Sequence, residues 1–355
     1  MTEVASLESI ETPAALVDLD RLERNLARWQ EYCGRVGLAN RPHVKTHKCV
    51  EIARRQAALG AAGLTCQTLH EAETMAAAGF RDVLVPYNIL GAGKLERLSA
   101  LLARAEVAVS VDDEALLAGL DEAARAAGRE LRVLVDCDTG LGRTGVQSPE
   151  AAVELGAAVA RRASLRFDGF LTYPAPPDAR AFLARARELA DGAGLEAATV
   201  SVGGTPAMWE SDGLASVVTE YRAGTYAFHD RNTVAAGAAR IEDVALTVLA
   251  TVVSRPAADR AILDTGSKAL SSDPGPDEGF GQVLEAPGAV LEKLNEEHAY
   301  VSLAAGEELE LGARVRVVPN HACVVSNLFE EFVVVSEGRV VDRWPVARGR
   351  IAPSP

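Results

Sequence analysis

The chain has 355 residues, 48% of them hydrophobic and 24% charged, and carries a net charge of −14. That length allows about two domains with a large core, and the acidic balance argues against nucleic acid or an anionic membrane surface as the main partner. The N-terminus lacks the basic and apolar regions of a signal peptide, no apolar run is long enough to span a bilayer, and the five cysteines form no CxxC pair, so the cytoplasm is the expected location.

The opening run Pro13–Asp18 stands outside the repeat that follows and is expected to pair elsewhere, with the second domain. Extended runs then alternate with amphipathic helical stretches. The extended runs are Pro42–Lys45, Leu64–Thr68, Val83–Tyr87, Val107–Val111, Leu131–Cys137, Phe167–Tyr173, Val200–Gly203 and Tyr221–Phe228. Helical spacing occupies Val50–Leu59, His70–Ala78, Glu114–Ala127, Pro149–Ala163 and Asp178–Ala190 between them. Eight such units in succession predict a (β/α)8 TIM barrel over residues 1–235. Beyond about residue 236 the rhythm changes to Ala245–Ser254, Arg260–Asp264, Ala299–Leu303, Arg314–Val318, Phe332–Val335 and Arg339–Trp344, with a hairpin turn at Glu337-Gly338. This predicts a mainly antiparallel β domain over residues 236–355, with Ser272–Gly281 as a long loop.

Active sites of such barrels lie at the strand C-termini, and polar residues gather there. Lys45 ends the first run, Gln67 the second, Tyr87-Asn88 the third and Asp112 the fourth. Asp136 and Asp138 end the fifth, ahead of Gly140-Leu-Gly-Arg143-Thr-Gly145, and Tyr173 ends the sixth. Only five of the 36 basic residues are lysines. A lysine where arginine is the usual cation suits a role arginine cannot take, because lysine can lose its proton and attack a carbonyl. Taken alone, a lysine at a strand–helix junction is more often a solvated residue. Gly203-Gly204-Thr205 and Gly224-Thr225 follow the seventh and eighth strands, where backbone N–H groups of such barrels often hold phosphate. In the second domain, Pro319-Asn-His321-Ala-Cys323 follows an apolar strand. In an extended segment the side chains of a His-x-Cys pair share a face and can bind one divalent ion, and the soft thiolate favours zinc over magnesium. Two such residues alone are more often a structural histidine and a buried cysteine.

Six motifs occur in a fixed order: Pro42-His-x-Lys45-Thr-His47-Lys48, Gly142-Arg143-Thr-Gly145, Gly203-Gly204-Thr205, Thr219-Glu-Tyr-Arg-Ala-Gly-Thr-Tyr226, Asp264-x-Gly-x-Lys268 and Pro319-Asn-His-x-Cys323. Together they resemble the fold-type III pyridoxal-phosphate enzymes of the D-threonine aldolase and D-serine dehydratase-like group, relatives of alanine racemase. The resemblance implies an alanine racemase-like barrel carrying pyridoxal 5'-phosphate and a β domain carrying a divalent metal, zinc first, with manganese or magnesium as alternatives. It makes Lys45 the Schiff-base lysine, places Arg143, Tyr173 and Gln67 near the pyridoxal ring, puts Gly204, Thr205, Gly224, Thr225 and Tyr226 at the phosphate, and makes His321 and Cys323 the metal pair. It also implies a homodimer and a small-molecule D-amino acid substrate. D-Threonine aldolase, giving glycine and an aldehyde, is the first expectation; D-serine dehydratase, giving a keto acid and ammonia, is the alternative. Cysteine at the second metal position is typical of the dehydratases. Some members carry a histidine after the sixth strand, where this chain has Tyr173-Pro-Ala-Pro-Pro177. A reading of a different class is a non-catalytic pyridoxal-phosphate-binding homeostasis protein; those are usually single barrels, against which the second domain counts.

Overall fold

The computed structural model describes residues 7–176 and 179–350. The start of the helix expected from Asp178, the end of the Tyr173–Pro177 loop and the first six residues lie outside the described residues. The chain divides into two compact units, one drawn from Met1–Arg28, Thr46–Ile52 and Thr225–Arg348, the other from Trp29–Lys45, Ala53–Gly224 and Gly349–Pro355.

The first strand, β1 (Ala14–Asp18), belongs to the former unit, and the next eight form a sheet in the latter. They are β2 (Ala39–Asn40), β3 (Leu64–Thr65), β4 (Asp82–Val85), β5 (Glu106–Val111), β6 (Leu131–Cys137), β7 (Leu165–Thr172), β8 (Thr199–Gly203) and β9 (Glu220–Arg222). All pair in parallel, in the order β2-β9-β8-β7-β6-β5-β4-β3. At the two ends of that order, the segment just after β2 meets β3 through a single parallel bridge, His43 to Thr65, and not through a full ladder. Parallel strands covered on both faces read as continuous apolar runs, which is why Val83–Val85 and Val107–Val111 are buried throughout. Leu84, Ala108, Leu134 and Leu171, one from each of four neighbouring strands, pack as one layer on the same face of the sheet. Helices connect the strands and begin on clear signals. Thr68 accepts a hydrogen bond from Glu71 N, and Ser148 accepts one from Ala151 N with Pro149 in the first turn.

Two strands differ from expectation, for a local reason. The run Pro42–Lys45 is not a strand: the ladder is confined to Ala39–Asn40, Arg41 N and His43 N still donate to Tyr221 O and Ala223 O, and Val44–Thr46 then turns as a 3-10 helix carrying Lys45. The run Tyr221–Phe228 likewise ends early at Arg222, and Thr225–Ala227 is a second 3-10 turn.

In the other unit, β1 pairs antiparallel with β10 (Leu246–Ala257) and parallel with β16 (Glu331–Ser336). The sheet also contains β11 (Arg260–Leu263), β12 (Gln282–Val283), β13 (Val290–Leu294), β14 (Ala299–Ser302), β15 (Arg314–Val318) and β17 (Arg339–Pro345). Apart from the β1–β16 pair, every pairing among these strands is antiparallel. Glu337 and Gly338 both take positive φ, 49° and 75°, the backbone of a tight hairpin between β16 and β17. Ile10, Ala14, Leu16, Leu249 and Val333 pack under the sheet. Among the described residues no helix is long and apolar enough to cross a membrane.

Candidate active site

Tyr173 is the hub of the first group of candidate residues. It follows β7, is 38% exposed, and its ring takes the Lys45 ammonium 5.7 Å from its centroid and the Arg143 guanidinium at 5.3 Å. Two cations within about 6 Å of one ring centroid make its surroundings electropositive. Gly204 meets the same ring: its φ is +122°, and a Cβ there would stand 3.3 Å from Tyr173. A side chain at position 204 would therefore be strained in its backbone and tight against the ring. Thr205, next in the chain, is buried. Tyr221 on β9 steadies this corner by donating from its hydroxyl to Gly204 O at 2.7 Å. Gln67 stands one step away, its Oε1 3.1 Å from His43 Nε2, and His43 Nδ1 in turn accepts from Lys45 N at 3.4 Å. The loop bearing Arg143 is braced by carboxylates: Asp112 accepts from Gly145 N, Asp136 from Thr144 Oγ1, and Asp138 from the N–H groups of residues 140 to 142.

Sequence reasoning assigned no role to Arg222, the last residue of β9. It is buried, donates to Ser201 Oγ and to Thr172 O, and burial holds its pKa down to about 10 despite the nearby Glu220 and Asp136 carboxylates. Asp136 is pushed above the usual carboxylate range by its own burial, against the Thr144 hydrogen bond and the Arg222 charge. The signal was present, since an arginine ending a parallel strand is unusual for a buried position, but the motif around it drew attention to its glycine.

The second group lies in the β unit. His321 and Cys323 do not sit on a strand as expected. β15 ends at Val318, and Ala322–Leu328 is a helix whose N-cap is His321. Asp230 is the reason: its Oδ2 accepts from Ala322 N at 2.9 Å and satisfies a donor at the helix start. The helix keeps the two side chains together, because His321 and Cys323 are hydrogen-bonded; that bond, with the Cys323 charge and an Asp273 hydrogen bond, raises the imidazole pKa to about 9 against the effect of burial. Cys323 Sγ lies 3.2 Å from Thr46 Oγ1 and 3.7 Å from Thr225 Oγ1. Thr46 is joined to Lys45 by one peptide bond, and Thr225 to Gly224. Tyr226 is buried in the turn that Thr225 begins. None of the five cysteines is in a disulfide, and Cys323 is the one that is not buried. The Asp264-x-Gly-x-Lys268 motif serves the β unit: Asp264 accepts from Thr12 Oγ1 and Thr251 N, and Lys268 pairs with Glu297 at the surface.

The residues of the parallel-sheet unit fit a flat, anionic aromatic aldehyde: a primary amine, a guanidinium, an exposed ring and a glycine cradle that a Cβ would fill. The donor set of the β unit, taken by itself, is one imidazole and one thiol. Among the described residues no group of three or more His, Cys, Asp or Glu is arranged to hold a metal, so a cation there would take two protein ligands and keep open positions, as catalytic sites do.

A parallel eight-stranded sheet with a lysine after its first strand and a β unit carrying His-x-Cys define the alanine racemase-like class. The family model of the alanine racemase N-terminal domain matches residues 17–232, and the serine dehydratase domain model matches residues 245–335. The chain is 36% identical to a D-threonine aldolase of Arthrobacter, over 97% of this chain and 94% of that one. It is 35% identical to the D-threo-3-hydroxyaspartate dehydratase of Delftia, over 97% and 99%. The solved D-threonine aldolase of Filomicrobium marinum superimposes with a TM-score of 0.87 at 35% identity, covering 98% of each chain. An alanine racemase of Clostridium difficile shares the fold, with a TM-score of 0.70 at 15% identity over 94% of this chain and 99% of that one. The chain thus belongs to the fold-type III pyridoxal-phosphate enzymes of the D-threonine aldolase and D-serine dehydratase-like family, and it is a pyridoxal-phosphate-dependent lyase.

Proposed function

We propose that the protein is a D-threonine aldolase-type lyase, cleaving the Cα–Cβ bond of a D-β-hydroxy amino acid to give glycine and an aldehyde, with a divalent cation as second cofactor. The convergence of Lys45, Arg143 and Gly204 on Tyr173 carries this reading. It also takes the eight parallel strands as a closed barrel, supported by the His43–Thr65 bridge. Pyridoxal phosphate, when bound, supplies an electron sink for bonds at the substrate Cα, and a divalent cation supplies Lewis acidity toward a hydroxyl.

The protein's own residues then have separate tasks. The Lys45 amine would hold the cofactor through its aldehyde and, when released, would carry a proton at Nζ. The Tyr173 ring would give the cofactor a flat face, Arg143 would donate to it, and the backbone N–H groups at Gly204-Thr205 and Gly224-Thr225 would receive its phosphate. Gln67 holds His43 and so the turn bearing Lys45. His321 and Cys323 hold the cation. Two solved variants of the Delftia-type dehydratase support that pair: one replaces a histidine, the other replaces the cysteine two positions further on and is described as a metal-free form. The spacing is that of His321 and Cys323.

Dehydration to a keto acid and ammonia is the second reading, favoured by Cys323, since that dehydratase also carries a cysteine two positions after a histidine. A product assay separates the two. Incubated with pyridoxal phosphate and zinc or manganese, the protein is expected to convert D-threonine to glycine and acetaldehyde. Keto acid and ammonia from D-serine or D-threo-3-hydroxyaspartate, with no glycine from D-threonine, would overturn the aldolase reading.

A further inference from the structure

The loop Ser272–Gly281 lies in the β unit, has no regular structure, and brings one carboxylate to the candidate cation pair. Asp273 Oδ2 is 2.6 Å from His321 Nδ1. A carboxylate at that distance accepts, so the Nδ1 proton belongs to the imidazole and points at Asp273. The contact is built from the chain and not left to a flexible side chain. Asn320, the residue before His321, is 1% exposed, and its amide donates to Asp273 O at 3.1 Å and to Gly279 O at 3.0 Å. Its Oδ1 accepts from Arg231 Nη1 at 2.7 Å, and Arg231 also pairs with Asp277. Gly275 packs directly on the Asn320 amide, where a Cβ would come within 2.9 Å. Asp273 N in turn donates to Ser271 Oγ at 3.2 Å. The loop is thus clamped at both ends of the span 273–279 onto the residue adjoining the imidazole.

From this we infer that Asp273 is a positioning residue for the cation: it fixes His321 in the tautomer whose Nε2 carries the free lone pair, and holds the ring so that this lone pair and Cys323 Sγ face one ion. The inference rests on the cation reading of His321 and Cys323 and adds the residue that orients them. An imidazole that donates its second N–H to a carboxylate is a better metal ligand and cannot rotate away, and loss of such a partner weakens binding about 10–100-fold.

The test measures zinc affinity on the metal-stripped full-length protein by competition with a chelating dye, without reference to turnover. His321→Ala and Cys323→Ala are expected to abolish binding. Asp273→Ala should weaken it about 10–100-fold, while Asp273→Asn, which keeps a neutral acceptor for the Nδ1 proton, should fall between that variant and the parent. Cobalt at saturation should give the thiolate charge-transfer band in parent and Asp273→Ala alike, since Cys323 is untouched, and the melting temperature of the metal-free proteins should agree. Asp273→Ala and Asp273→Asn binding zinc as tightly as the parent, while the His321 and Cys323 variants lose it, would overturn the role of Asp273 alone. Zinc bound undiminished by the His321 and Cys323 variants would overturn the cation reading and this inference with it.

Discussion

His229 shows how one buried side chain sets a pH response. It is 4% exposed, its Nδ1 has no hydrogen-bond partner, and burial lowers its pKa to about 4, with Arg28 adding to the shift and Asp243 opposing it. A folded-state value below the ordinary 6.5 means that the unfolded chain binds more protons between those two values. Stability from this group is therefore complete above pH 6.5 and lost as pH falls toward 4, by up to about 3 kcal/mol. Its φ of 52° calls for a replacement that tolerates the left-handed region, so His229→Asn is the suitable variant. Urea unfolding of that variant should show a shallower fall in stability between pH 6.5 and 4 than the parent; identical slopes would rule out His229 as the source. Of the residue-level chemistry, Lys45, Arg143, Tyr173 and Gly204 were legible because each sits in a compact motif. Asp273 was not: it lies 48 positions before His321, and nothing local marks one acidic residue of a Pro- and Gly-rich loop as a partner.

At the scale of elements, β7 carries an irregularity that sets where Tyr173 emerges. Its pairing with β6 shifts register between Val133 and Leu134, so that Asp168 is an extra residue between Phe167 and Gly169. Gly169 takes φ +134°, and a Cβ there would stand 1.9 Å from Thr199 O on β8. Gly169→Ala must therefore break the β7–β8 approach, and the variant should lose about 3 kcal/mol or more of stability, read as a fall in the urea midpoint. An unchanged midpoint would show that the bulge is not required. The alternation of apolar strands with capped helices made the parallel sheet readable in advance, and the positive-φ pair Glu337-Gly338 was recognised by its turn chemistry. The helix Ala322–Leu328 was missed because His-Ala-Cys follows an apolar strand, and Asp230, the carboxylate that accepts from its first N–H, is 92 positions away. Gln282–Val283 and Val290–Leu294 were missed because a two-residue strand has no period and Val-Leu-Glu-Lys-Leu fits a helix equally well.

At the scale of the whole molecule, a parallel sheet carries an amine, a guanidinium and a phenol ring, and a β unit carries an imidazole and a thiol, on a chain similar to named aldolases and dehydratases along nearly its full length. The order of motifs carried that division in the sequence, and the place of the opening run outside the repeat pointed to its pairing with the second domain, while its particular neighbours, β10 and β16, depend on long-range pairing that no local pattern encodes. Every chemical role assigned above depends on Lys45 being the amine that holds the cofactor. The direct measurement is to load the protein with pyridoxal phosphate, reduce it with borohydride and map the modified peptide by mass spectrometry. The account predicts one pyridoxyl adduct, on Lys45, and none in Lys45→Ala. An adduct on Lys48, Lys94, Lys268 or Lys293 in its place would contradict it.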